Sequence, residues 1–287
     1  MCSDSAERPG APATLVAPVP RVGGLSLGAF LRDYAATNMP VVTGGASAGW
    51  RAALEWVTAC GAPDVAALGV ECGAHVAPVV TCGGGGGGGY GGEARRDMSV
   101  AEFATLWAAG SADALYLKDW HYFRDCSDVA GGARGAAYEV PVACCDDWLN
   151  WYWDRRGGSL ALEVSRATTP PGAAPDADSG GRGVARRDDF RFVYVGGAHT
   201  STPLHVDVLH SHSWSVNVAG RKRWVLFSPV ESAKLYDVRN GGCLADVGAD
   251  ACVDAVAFPR YASAARLEVV QEAGEARAAG AGRWRRG

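Results

Sequence analysis

Apolar residues along this chain change their period part-way through. Before Arg187 they recur at helical spacing or in short runs. Ser26 precedes Leu27, Phe30, Leu31 and Tyr34, a short capped helix with one apolar face. The run Met39-Pro40-Val41-Val42 predicts a strand, and Trp50, Leu54 and Val57 predict a second helix. Ser99 and Glu102 form a capping-box pattern ahead of Phe103, Leu106 and Trp107. Ala114-Leu115-Tyr116-Leu117 reads as a strand. Asp146 or Asp147 starts a helix carrying Trp148, Leu149, Tyr152 and Trp153. After Arg187 the period falls to two. Phe190, Phe192 and Tyr194 alternate with Arg191, Val193 and Val195, and strands follow at Ser213 to Val218 and Arg223 to Phe227, with Gly220 between them. Short strands separated by turns indicate a sandwich or barrel. The expected class is α+β, mainly β, with a helical and mixed N-terminal part leading into a barrel.

Breaks in this pattern suggest boundaries. Residues 1–24 read as a flexible tail. Two insertions, about 82–96 and about 168–186, are expected to be disordered; the first contains the unbroken glycine run Gly83 to Gly89. That run lacks the Lys-Ser/Thr pair of a phosphate-binding loop. With 27 basic and 31 acidic residues the net charge is -4, which gives no global attraction to nucleic acid or to an anionic membrane. No apolar run approaches the ~20 residues of a membrane span, and the N-terminus has no secretory pattern. The nine cysteines include no CxxC pair, the usage expected of reduced thiols in the cytoplasm or nucleus.

Candidate chemistry is concentrated in Thr202-Pro203-Leu204-His205-Val206-Asp207 and Gly220-Arg221-Lys222-Arg223-Trp224. Residues two apart in a strand share a face, so His205 and Asp207 can converge on one point. An imidazole and a carboxylate supply two ligands of the 2-His-1-carboxylate triad that holds iron(II). On its own a His-x-Asp triplet is common. With His210 and His212 the same residues could also be read as a zinc site. Lys222 opens a strongly apolar strand, where a lysine needs a partner such as a bound dicarboxylate, or else snorkels to water.

The stretch DDFRFVYVGGAHTSTPLHVDVLHSHSWSVNVAGRKRWVLFSP resembles the centre of a JmjC domain. LYLKDWHYFRD at Leu115 to Asp125, DDWLNWYWD at Asp146 to Asp154 and LEVVQEAGE at Leu267 to Glu275 agree with the same family, in the same order. The likeness runs from about Leu25 to Glu275, with the barrel core at about 187–275. It implies a double-stranded β-helix (cupin-like) fold and an iron(II)- and 2-oxoglutarate-dependent oxygenase. It implies iron ligation by His205 and Asp207, pairing of Lys222 with the distal carboxylate of 2-oxoglutarate, and contacts to that carboxylate from Thr202 and Tyr116. Thr202 could otherwise be a turn hydroxyl and Tyr116 a core aromatic. Ser215 and Asn217 are further candidates that spacing alone does not assign. Within the family the likeness is to protein hydroxylases, specifically lysyl hydroxylation of the translation termination factor. A histone demethylase, or a binding module without catalysis, are the alternatives.

The sequence departs from the family at its end. The family's third ligand is a histidine after the Gly-Glu turn, in a Gly-Trp-x-His-like segment. The six histidines here stop at His212. Residues 276–287, ARAAGAGRWRRG, show no strand alternation, so they are expected to be a non-family tail. The last barrel strands are expected to be missing, and this chain to be inactive.

Overall fold

Strands form in this chain where short β-branched or aromatic runs can bury one face. A computed structural model describes residues 16–82, 94–126, 136–156, 189–198, 200–247, 253–280, 282 and 284–286. The glycine run, the whole of the second insertion and His199 lie outside these residues. The chain divides into two units: Met1–Ala46, Gly85–Glu93 and Ser201–Gly287 form one, and Ser47–Gly84 with Ala94–Thr200 form the other.

The first unit holds strands β1 (Val16–Pro18), β2 (Arg21–Val22) and β3 (Val41–Thr43), with helix α1 (Leu27–Ala29) between β2 and β3. Ser26 caps α1, accepting from the Ala29 N–H at 3.3 Å, and the helix widens into a π-helical turn, Phe30–Ala35. Phe30 is buried but Leu31 is exposed, so the apolar face is narrower than its spacing suggests.

The second unit begins with α2 (Arg51–Glu55) and α3 (Val65–Cys72). It continues through β4 (Val76–Thr81), β5 (Arg95–Ser99), α4 (Val100–Ala108), β6 (Leu115–Trp120), α5 (Tyr122–Asp125), α6 (Trp148–Arg156) and β7 (Val193–Gly196). The four strands form an antiparallel sheet in the order β5-β4-β6-β7. Ser99 caps α4 as predicted, and Asp147 accepts from the Asn150 N–H at the start of α6. A buried ionic cluster anchors this unit. Glu71 accepts from Arg51 at 2.7 Å, Tyr122 at 2.8 Å and Trp56 at 3.0 Å.

The first unit resumes with β8 (Ser213–Val216), β9 (Lys222–Phe227), β10 (Arg266–Gln271), β11 (Ala276–Ala279) and β12 (Trp284–Arg286). They complete two four-stranded sheets, β1-β10-β9-β12 and β2-β3-β11-β8. From β8 onward the chain passes between the sheets, as in a double-stranded β-helix. Period-two alternation on β9 gives each face its core. Trp224 and Leu226 meet Val19, Val42 and Val269 between the sheets, while Val225 and Phe227 pack on the other side with Leu204, Leu235, Leu244, Val247 and Ala264.

Several expectations are corrected. Residues 16–22, assigned to a flexible tail, form β1 and β2, which pair in parallel with β10 and β3. Residues 276–287 were expected to be a tail without strands. Instead β11 lies between β3 and β8, and β12 pairs with β9. Ladder pairing needs only backbone N–H and C=O groups, so a run of alanine and arginine can supply strands without apolar alternation. The barrel core starts later than 187, because Val193–Gly196 pairs with β6 in the second unit. Leu54 and Trp148, two of the apolar residues that marked α2 and α6, are 74% and 75% exposed; α2 instead buries Ala52, beside the buried Trp50 and Trp56 that flank it.

Candidate active site

Register assigns the interior of the first unit. Residues opposed across an antiparallel ladder share a face, so inward-facing Trp224 and Leu226 carry their partners inward. Across β10, Gln271 faces Lys222 and Val269 faces Trp224. Across β12, Arg285 faces Leu226. On the second sheet Val42 points inward, and Arg277 and Ser215 lie in register with it.

The segment containing Thr202 to Asp207 joins the same interior. Leu204 is held by its N–H bond to the Ala245 carbonyl, at 2.9 Å, and packs in the outer cluster. The next residue therefore projects the other way. His205 exchanges both backbone bonds with Arg285, N to O at 3.0 and 2.9 Å, an antiparallel bridge that adds this segment beside β12. The His205 Nδ1 lies 2.8 Å from the Pro203 carbonyl. A carbonyl only accepts, so the proton sits on Nδ1 and Nε2 presents its lone pair. Asp207 Oδ1 is 3.6 Å from that Nε2. The two sequence-predicted ligands therefore do converge.

Their donor atoms meet a protein cation. The Arg285 guanidinium bonds Asp207 Oδ1 through Nη2 and the Ser213 hydroxyl through Nη1, and its Nε lies 3.4 Å from His205 Nε2. Among the described residues no three His, Cys, Asp or Glu side chains are grouped to hold a metal. An iron(II) bound by His205 and Asp207 does not fit beside a guanidinium on the same two atoms. The zinc reading with His210 and His212 finds no such group either. Burial lowers the His212 pKa, and the carbonyl of His210 instead accepts from the N–H of Gly282 at 3.1 Å.

The candidates for the dicarboxylate are divided between the units. Lys222 faces inward with its ammonium 4.4 Å from the Trp224 ring centroid, and Thr202 is buried in the same unit. Tyr116 belongs to the second unit, buried on β6 opposite Gly196; a Cβ at Gly196 would come within 2.7 Å of its ring. Ser215 lies in register with Arg277, and Asn217 is occupied in a turn, bonding the Gly220 carbonyl at 2.7 Å.

Arg277 was not anticipated from the sequence. It is 1% exposed, with its guanidinium carbon 3.9 Å from the Trp224 ring centroid. Lys222 and Arg277 thus bring two cations to one indole, an arrangement that suits a dianion. The Trp224 N–H donates to Gln271 at 2.8 Å, and Gln271 donates in turn to the carbonyls of Ser215 and Glu275, which fixes the ring. Arg285 was also missed. Both arginines lie where the Ala-Arg-Gly composition hides strand register.

Residues 143–276 match the model of the cupin-like domain. The chain is 36% identical over 271 residues to the 2-oxoglutarate and iron-dependent oxygenase JMJD4 of Homo sapiens, covering 91% of this chain and 55% of that protein. It is 33% identical over 266 residues to the arginine-specific demethylase JMJ20 of Arabidopsis thaliana, covering 91% and 52%. The Gallus gallus oxygenase JMJD4 is 34% identical over 255 residues, covering 86% and 51%. The chain spans about half the length of these relatives. With its two-sheet barrel and converging His205 and Asp207, the chain belongs to the JmjC-type cupin-like family.

Proposed function

We propose that the protein is a 2-oxoglutarate- and iron-dependent protein oxygenase, and within that class a lysyl hydroxylase of the translation termination factor. The relatives named as 2-oxoglutarate and iron-dependent oxygenases support the class. The observation that carries it is the inward placement of Lys222 and of a second cation, Arg277, over the Trp224 ring, in the same unit in which His205 and Asp207 converge. The termination factor rests on the sequence resemblance alone, and it would place the protein in the cytoplasm. In the chain as it stands Arg285 closes the metal position, so its turnover is expected to be nil or nearly so.

Two other readings have an observation behind them. The Arabidopsis thaliana relative carries the name of an arginine-specific demethylase, which favours a demethylase as the alternative reaction. Arg285 on Asp207 favours a binding module that retains the barrel without catalysis.

Binding of 2-oxoglutarate tests the class without any metal. The purified chain should show a saturable rise in melting temperature with 2-oxoglutarate and little with a monocarboxylate. Lys222→Ala should abolish that rise while keeping the unliganded melting temperature near the parent's. A rise that survives Lys222→Ala, or none in the parent chain, would count against the oxygenase reading.

A further inference from the structure

We infer that Arg285 takes the place of a metal ion in this chain, a built-in cation that neutralises Asp207, holds His205 and bars divalent metal from the centre. The inference rests on the family reading of His205 and Asp207 as a ligand pair. Three observations carry it. The β12 register sets Arg285 opposite Leu226, whose side chain lies between the sheets, so residue 285 faces inward. The backbone bridge to His205 places residue 285 directly across from it. The guanidinium nitrogens then reach Asp207, Ser213 and His205, the carboxylate oxygen and the imidazole lone pair that a metal would use.

The chemistry favours exclusion. A guanidinium is never deprotonated in a protein, so this cation persists at every working pH. Metal–nitrogen and metal–oxygen bonds of roughly 2 Å would set a divalent ion on top of it. To admit the ion, the guanidinium must leave Asp207 and the metal must then be held by two protein ligands. The anchoring of β12 opposes that displacement. Gly282 enters the strand at φ +61°, and a Cβ there would lie 3.1 Å from the His210 ring nitrogen, so the turn is fitted closely to the His205–His210 loop.

The same geometry makes position 285 the third corner of a coordination set. Side chains directly opposed on an antiparallel pair have Cβ atoms about 4.5–5.5 Å apart. An imidazole at 285 would therefore stand beside that of His205 and close on the same point.

Manganese(II) is the probe, titrated by calorimetry into the full chain and into Arg285→His and Arg285→Gln, with circular dichroism and melting temperature as folding controls. The parent should show no saturable site. Arg285→His should bind at least about 100-fold more tightly and lose that gain when Asp207→Ala is added, and Arg285→Gln should fall between. Saturable binding by the parent comparable to that of Arg285→His overturns the inference, and so does a failure of both folded variants to exceed the parent. Should both variants fail to fold, the parent decides alone: its refusal of manganese supports the inference and its binding overturns it. Metal binding by Arg285→His without 2-oxoglutarate binding removes the oxygenase reading and leaves this inference standing. A Lys222-dependent 2-oxoglutarate response with no gain in metal binding does the reverse.

Discussion

Arg285 and Asp207, 78 positions apart in the chain, form an ion pair in the barrel interior, and that pair sits where the family resemblance expects iron. Each side chain is mostly buried, at 14% and 17% exposure, and Asp207 also lies 3.6 Å from the His205 imidazole. The contact is therefore more than a surface ion pair and should be measurable in the stability of the first unit.

Asp207→Asn should lower the unfolding free energy by about 1–3 kcal/mol, between the values for exposed and fully buried pairs. The loss arises because the guanidinium keeps its charge while its acceptor becomes neutral. Urea denaturation of both single variants and of Asp207→Asn with Arg285→Gln should give a coupling above about 0.5 kcal/mol. Additive effects would show that the two residues do not support each other.

Gln271 should be intolerant of an apolar replacement although it lies in the core. It is fully buried and joins the Trp224 N–H to the carbonyls of Ser215 and Glu275. Gln271→Leu leaves these groups unmatched and should cost at least about 2 kcal/mol. The indole would also lose its fixed orientation, read as a weakened near-ultraviolet dichroism band at unchanged far-ultraviolet signal.

Acid should weaken the second unit through Glu71. Burial raises this carboxyl's pKa, but hydrogen bonds from Arg51, Trp56 and Tyr122 outweigh it and hold the pKa at about 2, against an ordinary value of 4.5. A depressed folded-state pKa contributes stability that is fully present above the ordinary value and is lost as pH falls through about 2. Stability measured from pH 5 downward should fall across that window, and Glu71→Gln should flatten this part of the profile. At neutral pH the same variant should cost about 1–3 kcal/mol, because Arg51 then keeps only the more exposed Glu55 carboxylate, at 2.7 Å.

The sequence made some parts legible and hid others for physical reasons. Lys222 stands out because a charge in an otherwise apolar strand has to answer to something inside, whereas His205 and Asp207 are legible through the family resemblance of the blocks around them. Ser26 and Ser99 stand out because a cap satisfies backbone groups within three residues of itself. Arg277 and Arg285 do not stand out, since their strands are specified by the open edges of β8 and β9 rather than by their own side chains. Val16 to Val22 is obscured in another way: Pro18 and Pro20 interrupt the run, and parallel pairing with β10 and β3 leaves no local signature. Leu54 and Trp148 lie on the helices their spacing indicates, yet both are exposed, because spacing defines a helix face without saying what covers it. Tyr116, assigned to the dicarboxylate by the resemblance with a core aromatic as the alternative, is buried on β6 in the second unit.

The seven residues from Val16 to Val22 have a role larger than their length. β1 closes one edge of the first sheet against β10, β2 closes one edge of the second against β3, and Val19 lies buried between the sheets at the crossover. The segment works as a single stitch through two layers of cloth. Cut before Val41, the chain would bare two ladder edges together, and neighbouring molecules could join through either one. Loss of these seven residues would thus change the colloidal behaviour of the protein before it changed any chemistry in the barrel.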